Sequence, residues 1–160
     1  MSVAKGVAIE PEPVTLTAVY RHRYTPMVRL AHQIVGSAAI AEELTQDAFV
    51  RLQGAWDRVD NPAAVLNTTL VNLCRTWLKR ASVGDRLAAV MADSPIGLPV
   101  ELDETWQALG RLPDKYRIVL ALRFYADLPE AEIARLLGCR LGTVKSQIHR
   151  GLAKLKEVLS

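Results

Sequence analysis

Residues 129–152 read Pro-Glu-Ala-Glu-Ile-Ala-Arg-Leu-Leu-Gly-Cys-Arg-Leu-Gly-Thr-Val-Lys-Ser-Gln-Ile-His-Arg-Gly-Leu. The apolar positions recur at helical spacing, stop at Gly138, and resume three or four residues later. A glycine after the last periodic residue supplies the left-handed conformation that closes a helix. So short a gap before the next helix is the spacing of a helix-turn-helix, whose tight turn lets the second helix enter a DNA major groove. Val144, Ile148, Leu152 and Leu155 share one side of that second helix and are expected to pack on Ile133, Leu136 and Leu137. The opposite side presents Thr143, Ser146, His149 and Arg150, with Lys145 on its flank. Between Cys139 and Lys156 the chain places Arg140, Lys145, Arg150, Lys154 and Lys156, and no acid. Such a run suits phosphate contacts.

Upstream of this motif the second half continues the helical pattern, over Glu101–Leu109 and Pro113–Tyr125, with further helices expected at Pro129–Leu137 and Leu141–Leu159. The first half is also helical. A stripe of Leu16, Tyr20, Tyr24, Met27, Val28, Ala31, Ile34 and Val35 predicts an amphipathic helix ending near Gly36, with Ser37 capping the next, roughly Ala38–Trp56. Asn61-Pro62, a capping side chain before proline at the first helical position, starts a third helix that runs to about Arg80. Residues 1–13 read as a loose tail. Between Ala81 and Val100 the pattern weakens at Gly84, Pro95, Gly97 and Pro99, with an apolar stretch Leu87–Met91 between, which predicts a linker holding a helical turn or two. The expected architecture is all-α: two small helical domains with separate cores, at 14–80 and 101–160, joined by a linker at 81–100.

Composition bounds the function. Half of the 160 residues are apolar, and the net charge of +3 is only mildly basic, so the distribution of charge says more than its sum. Cys74 and Cys139 are the only cysteines, which excludes a disulfide framework or a four-cysteine zinc site and points to a reducing, cytoplasmic setting. No apolar run has signal-peptide or membrane-spanning length, so no membrane insertion is expected. No phosphate-binding glycine loop, Ser/His/Asp set or His/Cys ligand cluster is present, so neither an enzyme nor a cofactor or metal is expected.

Two further faces stand out. On the third helix, Leu66, Leu70, Leu73 and Trp77 form an apolar stripe opposite Thr68, Asn72, Arg75 and Lys79, and no acid occurs between Asn61 and Arg80. Cations near a helix C-terminus are favoured in any protein, so this polar stripe reads equally as solvated or as DNA-facing. On the second helix, Glu43, Gln46, Asp47 and Val50 share a face bordered by Glu42 and Phe49, while Ile40, Leu44, Ala48 and Leu52 take the other. Nothing nearby would shift a carboxylate pKa for acid–base work. A solvated helix face or a protein-binding face fits better, and Phe49, expected as an exposed aromatic beside charges, favours binding.

With these segments placed, the chain resembles extracytoplasmic-function sigma factors of the sigma-70 family. Ala41-Glu42-Glu43-Leu44-Thr45-Gln46-Asp47-Ala48-Phe49, after the Tyr20/Tyr24 helix, is similar to region 2. Leu112-Pro113-Asp114-Lys115-Tyr116-Arg117, Leu122-Arg123-Phe124-Tyr125, Glu132-Ile133-Ala134 and Gly142-Thr143-Val144-Lys145-Ser146 are similar to region 4. The resemblance spans residues 14–159. It implies an RNA polymerase sigma factor that directs promoter-specific initiation, with core RNA polymerase (β′ clamp and β flap) and promoter DNA as partners; an anti-sigma factor stands among the partners such a protein can have. It carries over Glu43, Gln46, Asp47 and Phe49 as core-polymerase-binding residues. Asn72, Arg75 and Arg80 fall on the −10 helix, and Trp56 through Asn61 on the turn that holds a flipped base, although the position of Trp56 suits a core aromatic better. Arg140, Thr143, Lys145, Ser146, His149 and Arg150 fall to the −35 element. Thr76 departs from the family pattern, where many members have an acid; Pro129 and Arg140 replace serine caps, and Gln147 replaces a common arginine. Pro129, Arg140 and Gln147 bear on promoter preference, not on fold. The competing reading is a dimeric helix-turn-helix regulator with residues 14–80 as a sensory or dimerising domain, which would bind duplex DNA alone at two half-sites.

Overall fold

The computed structural model describes residues 13–91 and 104–160. Within them every regular element is helical: α1 (Leu16–Val35), α2 (Ala38–Ala55), α3 (Pro62–Arg80), α4 (Val83–Met91), α5 (Glu104–Leu109), α6 (Asp114–Leu120), α7 (Glu130–Leu137) and α8 (Leu141–Leu159). The fold is all-α, as the periodicity predicts.

The expected punctuation sits where the chemistry requires it. Gly36 closes α1 at φ 76°, and its N–H donates to the His32 carbonyl. The Ser37 hydroxyl then caps α2, accepting from the Ile40 N–H at 3.2 Å. Asn61 caps α3 through Oδ1, which accepts from the Ala64 N–H at 3.2 Å, with Pro62 in the first turn. These caps satisfy amide donors that the first turn leaves without partners. The second helix ends one residue before Trp56, which opens a 3₁₀ turn, Trp56–Arg58. Pro113–Tyr125 is not a single regular helix: after α6, residues Ala121–Tyr125 widen into a π turn in which the Ala126 N–H reaches back to the Ala121 carbonyl at 3.0 Å.

α1 lies against α2 and α3, while α5, α6 and α7 gather on α8. Part of the expected linker is an ordered helix, α4. Residues 92–100 lie outside the described residues, as do the tail at 1–12 and residues 101–103. The expectation of separate cores meets a continuous cluster. Met27, Ile34, Leu52, Leu66, Leu70 and Val71 of the first half and Val119, Leu122, Ile133 and Val144 of the second belong to one buried cluster. α1 touches α6 and the π turn, and α3 touches α7.

Three face assignments change. The α3 core is Leu66, Asn67, Leu70, Val71, Cys74 and Leu78, with Leu73 and Trp77 only partly buried at its edge. On α8, Leu152 is 43% exposed, and the buried position in its place is Gly151. On α2, Phe49 is 6% exposed. Side-chain spacing places residues on a face to within a position or so; which of two neighbours is buried depends on the helix opposite.

Candidate nucleic-acid interface

The turn between α7 and α8 is held by its backbone. Gly138 takes φ 68°, and the Cys139 N–H reaches the Ala134 carbonyl at 3.0 Å while the Gly138 N–H reaches that of Arg135 at 3.3 Å. A Cβ on Gly138 would meet nothing within 4 Å, so the glycine answers the left-handed backbone and not a lack of space. Val144 and Ile148 anchor α8 in the core, with Gly151 tight against α6.

Arg140, Thr143, Lys145, Ser146, His149 and Arg150 all project to solvent. Arg140 occupies the cap position of α8, and no side chain accepts from the first-turn amides. The Thr143 N–H turns back to the Arg140 carbonyl at 3.0 Å, and the positive end of the helix dipole faces solvent, where a phosphate oxygen is favoured. Ser146 Oγ donates back to the Gly142 carbonyl at 3.2 Å, leaving its lone pairs outward. The Lys154 ammonium lies 5.9 Å from the Tyr116 ring centre, at the edge of α6. From Leu141 to Lys156 the second helix of the motif thus presents one exposed, acid-free face.

The first half carries the other two faces. On α3, Asn72 and Arg80 are exposed. Arg75 is half-buried, and its Nη1 donates to the Leu137 carbonyl at 3.4 Å, the last residue of α7. Trp56 is half-buried against the core cluster, and Asn61 is engaged as the α3 cap. On α2, Glu43 and Gln46 are exposed; Asp47 meets Arg51 at 3.2 Å across one helical turn, an exposed pair of little energetic weight. Gln46 Nε2 donates to the Tyr24 hydroxyl at 3.3 Å. Phe49 supports this face from beneath and is not part of its surface: the Tyr20 ring covers it edge-on with centroids 5.0 Å apart, and Tyr24 stacks on Tyr20 at 4.9 Å. The aromatic edge open to solvent is therefore Tyr20, 45% exposed.

Sequence reading passed over Arg117, which is only 7% exposed. Its Nε donates to the Ile34 carbonyl at 2.8 Å, Nη1 to the Leu112 carbonyl at 2.9 Å, and Nη2 to Asp114 Oδ1 at 2.7 Å. Burial opposes ionisation of Asp114, but hydrogen bonds from Arg86 and Arg117, and their charges, outweigh it and hold the carboxyl below its ordinary range. The available signal was the spacing Asp114/Arg117, three apart on a helix. That spacing says nothing of the backbone carbonyl from the other half. Among the described residues no three His, Cys, Asp or Glu side chains gather as a metal-ligand set, and no helix is long and apolar enough to cross a membrane.

A helical bundle carrying a helix-turn-helix with a basic outer face has the architecture found in DNA-binding transcription proteins. Comparison with known proteins narrows this. Residues 19–83 match the family described as Sigma-70 region 2, and residues 102–155 that described as Sigma-70, region 4. The RNA polymerase sigma-E factor of Streptomyces avermitilis is 30% identical, over 87% of this chain and 82% of its own. The ECF RNA polymerase sigma factor SigW of Bacillus subtilis is 28% identical, over 82% of this chain and 81% of its own. In fold, the chain is similar to the sigma factor RpoE of Bartonella quintana, solved in complex with the anti-sigma factor NepR, with a TM-score of 0.72, 22% identity, and coverage of 90% of this chain and 96% of that one. The chain belongs to the sigma-70 family, among its extracytoplasmic-function members, a family of non-catalytic transcription initiation factors for RNA polymerase. The match at 19–83 takes the place of a sensory or dimerising domain.

Proposed function

We propose that the protein joins core RNA polymerase and directs it to promoters by reading two elements, one with each half. The observation that carries this is the pairing of the region 2 and region 4 matches with an exposed basic face on α8. Glu43, Gln46 and Asp47 offer the β′ clamp an acidic strip, stiffened by the Tyr20/Tyr24/Phe49 cluster. Asn72, Arg75 and Arg80 of α3 follow the −10 strand, with the turn from Trp56 to Asn61 holding a base. Arg140, Thr143, Lys145, Ser146, His149 and Arg150 face the −35 duplex, where phosphate contacts supply affinity and base-edge contacts supply discrimination. The exposed Phe124 and Leu152 flank an apolar crevice with Trp106, Leu109 and Leu155, which suits the β flap. An anti-sigma factor is a proposed partner on the ground that the similar RpoE was solved with one. The working compartment is the cytoplasm, where the polymerase is.

The experiment is in vitro transcription from a genomic template library with purified core polymerase, comparing wild type with Glu43→Lys/Asp47→Lys. The reading requires promoter-specific transcripts only with core and chain together, and a folded double variant that competes poorly for core. Specific duplex binding by the chain alone as a dimer at paired half-sites, with no core-dependent transcript, would overturn it.

A further inference from the structure

A crevice of about 240 Å³ opens between α3 on one side and α6, α7 and the turn after α7 on the other. Leu78 of α3, Ile118 of α6 and Leu137 of α7 give it an apolar lining, and all three belong to or pack on the core cluster. Three cations stand beside them: Arg75 and Lys79 of α3 and Lys115 of α6. Lys79 and Lys115 are exposed and meet no acid among the described residues. The Lys115 ammonium lies 5.0 Å from the Tyr116 ring centre. Arg75 commits one N–H to the Leu137 carbonyl, at 3.4 Å, out of the five donors a guanidinium carries. The acid in the lining, Asp114, is already matched. It accepts from Arg86 Nη1 and Nη2 at 3.2 and 3.0 Å and from Arg117 Nη2 at 2.7 Å. The crevice therefore keeps an excess of positive charge beside an apolar surface.

These features select a ligand. Water in an apolar crevice finds few partners, so an apolar group that displaces it gains affinity. Cations gathered beside low-dielectric walls favour an anion over a neutral molecule of the same shape. Size sets the rest. An apolar cavity of about 150 Å³ holds a benzene ring, so the larger volume here admits one ring with a short acidic arm.

We propose that this crevice is a binding site for a small aromatic carboxylate, with the ring on Leu78, Ile118 and Leu137 and the carboxylate on Lys79, Lys115 and Arg75. A bound molecule touches α3 and α6 together, and the chain then carries a small-molecule-binding function beside its role in transcription initiation. The site rests on its lining alone and does not depend on which residues contact DNA.

Cys139 lines the same crevice and is half-buried, whereas Cys74 is buried, so occupancy is read as slower alkylation of one thiol. The full chain is treated with N-ethylmaleimide at fixed ionic strength and Cys139 labelling is followed by mass spectrometry. Phenylacetate is the probe; acetate, neutral 2-phenylethanol and cationic 2-phenylethylamine are the comparators. A ligand of about ten non-hydrogen atoms binds in the millimolar range, so the titration runs to about 20 mM. Isothermal titration calorimetry gives Kd independently. At ten times that Kd, phenylacetate should slow Cys139 labelling about tenfold, while acetate and 2-phenylethylamine leave it unchanged. Lys79→Gln/Lys115→Gln, at two exposed side chains, should weaken phenylacetate about fivefold and leave 2-phenylethanol as it was. Absence of protection across the titration would overturn the site. Equal protection by phenylacetate and 2-phenylethanol, or equal phenylacetate affinity in wild type and the double variant, would overturn the carboxylate assignment and the proposal with it. Circular dichroism confirms retained helix, and should the double variant not fold, Lys115→Gln alone carries the same test.

Discussion

Gly151 is the position where the seating of α8 is most sharply testable. A Cβ built there would lie 3.2 Å from Leu120 Cδ1, 3.3 Å from Leu120 Cγ and 3.3 Å from Tyr116 Cβ, all inside the roughly 3.5–4.0 Å optimum for carbon pairs. Leu120 can give a little, since it lines an apolar crevice of about 190 Å³ with Phe124 and Leu152. Tyr116 Cβ cannot, because it moves only with the α6 backbone. Gly151→Ala therefore sets two effects against each other. Alanine gains about 1 kcal/mol of helix propensity, while overfilling a packed contact costs about 1–3 kcal/mol. Taking the middle of that range, the variant loses about 1 kcal/mol net, or about 2–4 °C in Tm for a chain of this size. Gly151→Leu, with three further carbons pressed between Leu120 and Tyr116, should lose more and lift α8 from α6. Urea and thermal melts of the full chain read both, and affinity for a −35 duplex should fall with stability as the basic face shifts relative to α7. A Gly151→Ala protein that melts above wild type would show that the Cβ is accommodated and refute the close-approach argument.

Three other outcomes follow from named groups. Arg150→Ala should cost roughly 1–3 kcal/mol of discrimination among −35 variants if it reads a guanine edge, whereas Lys154→Ala should weaken binding evenly and lower the salt slope by about one unit; equal loss on every −35 variant would reassign Arg150 to phosphate. Burial pushes the Cys74 thiol up to about 12, so at pH 8 about one part in ten thousand is thiolate; a thiol reagent should modify half-buried Cys139 in the native protein and Cys74 only on unfolding, and rapid native reaction of both would contradict the buried placement. Burial also holds the His32 imidazole below its ordinary value of 6.5. The unfolded chain then binds the proton first as pH falls, so the His32 contribution to stability is complete above about 6.5 and shrinks below it; His32→Gln should flatten stability between pH 7 and pH 5, and an unchanged slope would refute the assignment.

Much of this protein is local and was legible without coordinates. Gly36 with Ser37, Asn61 with Pro62, and Gly138 fix helix ends through bonds spanning three to five residues, and such bonds are written in consecutive residues. The helix-turn-helix and the outward set from Arg140 to Arg150 follow from the same short-range rules. The structure alone decided which neighbour on a helix is buried. Phe49 lies beneath Tyr20 instead of outside it, Gly151 takes the buried place expected of Leu152, and residues read as linker form the helix that Ser37 and Asp114 hold. Arg117 is the clearest case. Its charge and its spacing from Asp114 look like an ordinary surface pair, yet its deciding partner is the Ile34 carbonyl, 83 residues away. Every residue carries such a carbonyl, so no side-chain pattern marks it; only the end of α1 arriving beside α6 makes that one an acceptor in need of a donor.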